Sequence, residues 1–316
     1  MKRIHQLNAM NVGGYVSKEH FDKATSAYQE EFPGIINSIT IKKEIIVKAL
    51  NSHEWISGIR FMYGLDDPMN PNSIRVFLIP CTHTSENLDL SKPLVAKYGY
   101  YDHAGHLNTL TDVVKGITAY VGQMTKMDDT LIYKEVTRGN FLGKNSLLDL
   151  VSHENCECVS IDFGLQGKVL KPVFRPINSN SAFIEEIYMN VTNPCPPFCG
   201  DPDSDPPCKT ELTVSMFSNE KELDIYRYFR DFILLELENG EVQYEMYYFI
   251  SPLITAMIDE SENKEEELRI TYYEKIVPFK ELLAEKKFDE ANNWLKETFE
   301  EWVSKWQVSF NVQELS

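Results

Sequence analysis

Hydrophobic positions follow two different rhythms along this chain, and the change between them falls near residue 215. Before it, short apolar runs are separated by Gly, Pro, Asn and Asp. After it, apolar residues recur at three- and four-residue spacing. The first part opens on SKEHFDKATSAYQEE, residues 17–31, which predicts a helix. Ser17 can cap its first turn, Glu19 and Asp22 sit near its positive end, and Pro33 with Gly34 stops it. Residues 37–51 carry a second helical pattern, although IINSITI is rich enough in β-branched residues to form a strand instead. The runs 56–63 and 74–81 flank a Gly/Asp/Pro/Asn connection and predict two antiparallel strands. Further on, the pattern predicts a helix over 111–124, a strand over 156–162, a short helix over 180–190 and a last extended run, TELTVSMFS, at 210–218.

Beyond residue 218 the helical period persists, with breaks expected at Asn239-Gly240, Ser251-Pro252, the acidic stretch 259–267 and Pro278. Stripes such as Tyr226, Phe229, Ile233 and Ala291, Leu295, Thr298, Trp302 read as core faces, because large rings bury much area at small entropic cost. The fold class expected is α+β: a mixed domain with an antiparallel sheet over 1–215, then an all-helical domain over 216–316.

Composition narrows the function classes. The chain has 316 residues, 43% of them hydrophobic and 12% aromatic, which supports a packed core rather than disorder. A formal charge of −17 disfavours nucleic acid and anionic membrane as partners. His5, Gln6 and Asn8 interrupt any apolar run after Lys2 and Arg3, so no secretory signal is expected. No apolar stretch has the length of a membrane helix. The expected location is cytoplasmic.

The most distinctive local chemistry is NPCPPFCGDPDSDPPCK, residues 193–209, with three cysteines, six prolines and three aspartates. Cys195, Cys199 and Cys208 are candidate zinc ligands, completed by Cys156 or His153 from HENCEC at 153–158. If Cys156 and Cys158 lie on a strand they point to opposite faces, so only one of them joins such a site. A disulfide and a stiff, proline-braced loop of free thiols are the competing readings. A second candidate set comprises Cys81, His83, Asp102, His103 and His106. His103 and His106 would share a face if this stretch were helical, with Asp102 as ligand or orienting group, and a metal-dependent hydrolase would follow. Gly105 argues against a rigid helix there, and hydrogen-bonded surface histidines are the plainer reading. Phosphate-loop, nucleophile-elbow and HExxH patterns are absent: Gly139, Gly143, Lys144 and Ser146 lack the required glycine–lysine–hydroxyl adjacency.

GIRFMYG at 58–64, IRVFLIP at 74–80 and CPPFCG at 195–200 together resemble a group of uncharacterised Bacteroidetes proteins. This chain departs from that group by a long insertion before the proline–cysteine turn, and the resemblance implies no activity. Residues 226–258 resemble a small helical accessory module of bacterial proteins. The matching positions are Arg227 or Tyr228, Phe229, Arg230 and Asp231; then Gly240; then Tyr247 and Tyr248; then Ser251 and Pro252. That resemblance implies a structural or associative role, often in envelope-linked proteins, which pulls against the cytoplasmic expectation. Arg230 and Asp231, being adjacent, are expected to face different neighbours.

The functional expectation is a non-enzymatic structural or protein-interaction protein, with no cofactor. The alternative is the metal-dependent hydrolase, with zinc and the residues at 83–106. Trp294, Trp302 and Trp306 lie within thirteen residues, and the outer two are rotated by about 120° on an ideal helix. One internal face cannot readily bury all three, so a protein partner or self-association is expected to cover part of this helix.

Overall fold

Ser17 accepts a hydrogen bond from the His20 backbone N–H and opens α1 (Lys18–Glu31), which closes at Phe32 ahead of Gly34 with φ +83°. A computed structural model describes residues 9–81, 99–128, 130–133, 136–178, 180, 182–184, 187–190, 193–195, 220–247, 249–250 and 261–313. The chain divides into two units, Met1–Pro197 and Phe198–Ser316. The first is a mixed domain with antiparallel sheets, and the second is helical.

In the first unit the ambiguous segment forms strand and helix back to back: β2 (Ser38–Lys42) runs directly into α2 (Lys43–Leu50). Ile39 and Ile41 point inward and Thr40 outward, so the β-branched residues take the strand while Ile45, Ile46, Ala49 and Leu50 make the helix face. β3 (Gly58–Leu65) and β4 (Ile74–Cys81) pair antiparallel along their whole length, as their sequences predict. The first unit also contains β1 (Gly14–Tyr15), β5 (Tyr100–Asp102), β6 (Leu107–Asn108) and α3 (Leu110–Met127). After these come β7 (Gly139–Gly143), α4 (Lys144–Ser152), β8 (Cys158–Asp162), and a β9–β10 hairpin (Leu165–Gln166 and Val169–Leu170). β11 (Val173–Ile177), β12 (Met189–Asn190) and β13 (Asn193–Cys195) complete it. The short helix expected over 180–190 is corrected: its described residues hold a bridge between Phe183 and Ile177 and then β12.

The two halves of this unit are copies of one pattern. NSHEWISGIRFMYGL (51–65) and VSHENCECVSIDFGL (151–165) share Ser, His, Glu, Gly and Leu at matching positions. Each stretch links a helix to a central strand: α2 to β3, and α4 to β8. The backbone pairing repeats as well, with a one-residue difference in helix length. Lys43 donates its N–H to the Glu157 carbonyl at 2.9 Å, and Lys144 donates to Ser57 at 2.8 Å. Ile41 pairs with Val159 as Leu142 pairs with Ile59. These contacts cross between the halves. β2 of the first half pairs with β8 of the second, and β7 of the second pairs with β3 of the first. The result is a five-stranded sheet β1-β12-β11-β8-β2 and a six-stranded sheet β13-β7-β3-β4-β5-β6, each holding strands of both halves.

The sheets meet through Phe61 and Phe174, whose ring centroids are 4.9 Å apart. The paired helices repeat the relation as well. Tyr28 of α1 lies 5.5 Å from Phe163, and Tyr120 of α3 lies 5.7 Å from Tyr63. Four residues earlier on each helix, Ala24 meets Gly164 and Gly116 meets Gly64, so closely that a side chain at Gly64 or Gly164 would collide. β3 and β11 are buried at every position, which removes the inside–outside alternation normally used to recognise a strand.

The second unit begins at α5 (Glu220–Tyr228), which widens into a π turn (Phe229–Ile233) and a 3₁₀ turn (Leu234–Glu236). Asn239, at φ +58°, makes the expected break before a helical stretch at 240–247. α6 (Lys264–Ile270) continues through a second π turn (Thr271–Ile276) into α7 (Val277–Ala284), and α8 (Phe288–Gln313) follows. Pro278 therefore does not end the helical path. It occupies the first turn of α7, where a missing N–H is tolerated, just after the π turn. Phe279 anchors the core, stacked on Tyr226 at 5.8 Å and edge-on to Phe229 at 5.4 Å. Among the described residues of 220–313 there is no strand.

Candidate functional site

The histidines at 103 and 106 lie not on a helix but in the hairpin between β5 and β6, where Gly105 takes φ +91°. Asp102 is buried at the end of β5 and accepts from the N–H groups of Ala104 and His106 at 3.0 and 2.8 Å. The His106 ring Nδ1 lies 3.1 Å from its other oxygen, and the Arg75 guanidinium stands 3.6 Å away while also pairing with Asp66 at 2.9 Å. Burial pushes the Asp102 carboxyl up. The two His106 hydrogen bonds, the His106 charge and Arg75 together outweigh it and hold the group below the usual carboxylate range. His103 turns the other way: its Nδ1 accepts from the Val76 N–H at 3.4 Å, and burial depresses its pKa below that of an ordinary histidine. Asp102 is thus the acceptor that ties the hairpin together, and His103 and His106 do not converge on a common point. His83 lies outside the described residues.

The expectation of zinc is overturned: among the described residues, no group of three or more His, Cys, Asp or Glu side chains can hold a metal ion. The topology gives the reason. Cys156 leads into β8 of the five-stranded sheet, and its thiol donates to the Cys158 carbonyl at 3.4 Å. Cys195 belongs to β13 of the six-stranded sheet, opposite Gly139. His153 closes α4. Burial raises the thiol pKa of both Cys156 and Cys158. Cys199 and Cys208 lie outside the described residues.

In the helical unit, Trp294 is half-buried and donates its indole N–H to the Lys275 carbonyl at 3.1 Å, while Trp302 is half-buried beside Phe299 at 6.1 Å. The Trp306 side chain lies outside the described residues. Arg230 and Asp231 correct an expectation. They pair with each other, at 2.6 and 2.9 Å, because the wider π turn brings adjacent side chains round to one side.

The same π turn forms one wall of a groove with a cavity volume of about 440 Å³. Ile225, Phe229 and Ile233 line one side of it, and Leu283 and Phe288 the other, with Asp224 and Lys286 as its charged members. Tyr228 also lines it and continues into an aromatic ridge. Tyr228 and Phe232 are each 60% exposed, with ring centroids 5.3 Å apart. Tyr226, Phe229 and Ile233 are legible in the sequence as one stripe, but the groove and the ridge are not. A π turn changes which residues share a face, and nothing in the residue pattern announces it.

No family model matches this chain, and no curated protein or solved structure matches it either. Among the described residues, no helix is long and apolar enough to cross a membrane.

Proposed function

We propose that this chain is a non-enzymatic protein-interaction protein that self-associates through its helical unit. The observation that carries the reading is the ridge of Ile225, Tyr228 and Phe232, at i, i+3 and i+7, with exposures of 46, 60 and 60%. A contiguous apolar row on a surface helix costs solvation unless another surface covers it. The charge around the ridge favours a second copy. The whole chain carries −17, yet residues 220–231 hold three basic and four acidic side chains, so two ridges can approach without strong repulsion. An aromatic row is also self-complementary about a two-fold axis, as a symmetric dimer requires. The resemblance of residues 226–258 to a helical accessory module supports the same associative role.

Light scattering of the full chain across a concentration series tests this. The expected result is a mass that rises with concentration for the wild type and stays monomeric for Phe232→Glu. A wild type that is monomeric throughout overturns the proposal.

A further inference from the structure

Lys286 occupies a backbone position that glycine normally takes. Its N–H donates to the Leu283 carbonyl at 3.1 Å, and the next N–H, of Lys287, reaches back to Leu282 at 2.9 Å. This pair of bonds is the Schellman closure of a helix, whose residue after the C-cap must adopt left-handed geometry. Lys286 does so, at φ +58°. Among the described residues, the other non-glycine positions with positive φ are Asn155 and Asn239, of the type that tolerates this region best. A lysine here is strained relative to glycine, and residues held in such geometry cluster at ligand clamps.

The surroundings give that strain a use. Lys286 lines a groove whose other members are apolar except Asp224 and the Tyr228 hydroxyl, and Asp224 already has Arg227 at 3.9 Å. Among the described residues Lys286 has no ion-pair partner. The groove therefore presents an apolar interior with one uncommitted cation, in the size range of small-molecule sites. The π turn, a feature frequent at functional sites, supplies Phe229 and Ile233 to its wall.

We infer that the groove binds a small anionic amphiphile, an aliphatic carboxylate whose chain lies against Phe229, Ile233 and Leu283 and whose head group meets Lys286. Ile225 and Tyr228 belong both to this groove and to the self-association ridge, so the two readings are told apart by charge preference on one side and by mass on the other.

Isothermal titration of the full chain with decanoate and with decanol, as matched charged and neutral probes, tests it. Decanoate should bind about threefold more tightly than decanol, the preference expected of one exposed ion pair. Lys286→Met, which keeps the stem and removes the charge, should abolish that preference. Ala284→Trp, at the exposed edge of the groove, should weaken both probes by about tenfold or more if the groove is the site. Lys286→Gly gives a signature that a purely structural lysine would not: a higher melting temperature together with weaker decanoate binding. Equal binding of the two probes, no binding of either, or a preference that survives Lys286→Met overturns the inference.

Discussion

Tyr63 and Phe163, one hundred residues apart in the chain, meet edge-on at 5.5 Å with their rings at 83°. They are the same residue of the repeated pattern, each followed by the same Gly-Leu pair, and each also touches the tyrosine of its packing helix. Their contact therefore lies where the two halves of the first unit cross. The exchange of β2 and β7 explains why neither half completes a sheet alone: each central strand finds one neighbour within its own half and the other in the opposite half.

The crossing makes Gly64 and Gly164 equivalent in consequence. A Cβ at Gly64 would lie 2.6 Å from the Phe77 ring and 3.1 Å from the Gly116 backbone, and one at Gly164 would lie 2.9 Å from Ala24 Cβ. Gly64→Ala and Gly164→Ala are each expected to cost about 1–3 kcal/mol in urea unfolding. Gly122→Ala, on α3 with nothing near its Cβ position, should instead stabilise by about 0.5–1 kcal/mol.

Tyr63 also carries a hydroxyl that Phe163 lacks, and it donates to Asn140 Oδ1 at 2.6 Å in the buried interior. Among the described residues, Asn140 Nδ2 has no hydrogen-bond partner. Tyr63→Phe should keep the ring packing and cost about 1–3 kcal/mol in chemical denaturation, because the amide is then left wholly unpaired.

Asp162 and Arg175 form a buried bidentate pair at 2.8 and 2.7 Å, with the guanidinium over Phe183 at 3.5 Å and Phe21 at 4.2 Å. At the equivalent positions of the first half stand Met62 and Ile79. Asp162→Ala should destabilise by about 3–5 kcal/mol, since it leaves a buried cation unpaired. The double replacement Asp162→Met with Arg175→Ile should lose far less than the sum of the two single changes. Thermal or urea unfolding of the four proteins closes that cycle.

The hairpin groups contribute to the acid response. His103 has a folded pKa below its unfolded value near 6.5, so it binds its proton less readily when folded. Its contribution is complete above that value and is lost as pH falls through 6.5 toward the folded pKa. Asp102, whose folded pKa is also lowered, contributes above the unfolded value near 3.9 and loses that contribution as pH falls below it. Urea midpoints measured from neutral to acidic pH should show two descending steps. His103→Gln should reduce the upper step. Asp102→Asn should reduce the lower step, to which Asp112 and Asp128 also contribute, and enlarge the upper one, because the Asp102 charge holds the His103 pKa up.

Sequence alone determined the elements whose evidence is local. Ser17 and the periodicity after it define α1, and the two apolar runs around residues 66–73 define the β3–β4 hairpin. The recurrence of three- and four-residue spacing after 218 gives a helical second unit, because each signal lies within one element's own length. The Ser-His-Glu and Gly-Leu matches at 52–54 with 152–154 and 64–65 with 164–165 were also legible as a repeat, though only a comparison of the chain with itself exposes them. Tertiary structure decided the rest. Which half supplies each strand depends on pairing between distant segments, since Ile41 could equally have paired within its own half. Whether Cys156 and Cys195 approach is set by the sheets they join. That Lys286 stands in left-handed geometry beside an apolar groove is a property of a helix closure and a π turn, set by the packing of α5, α7 and α8 rather than by the identity of the lysine.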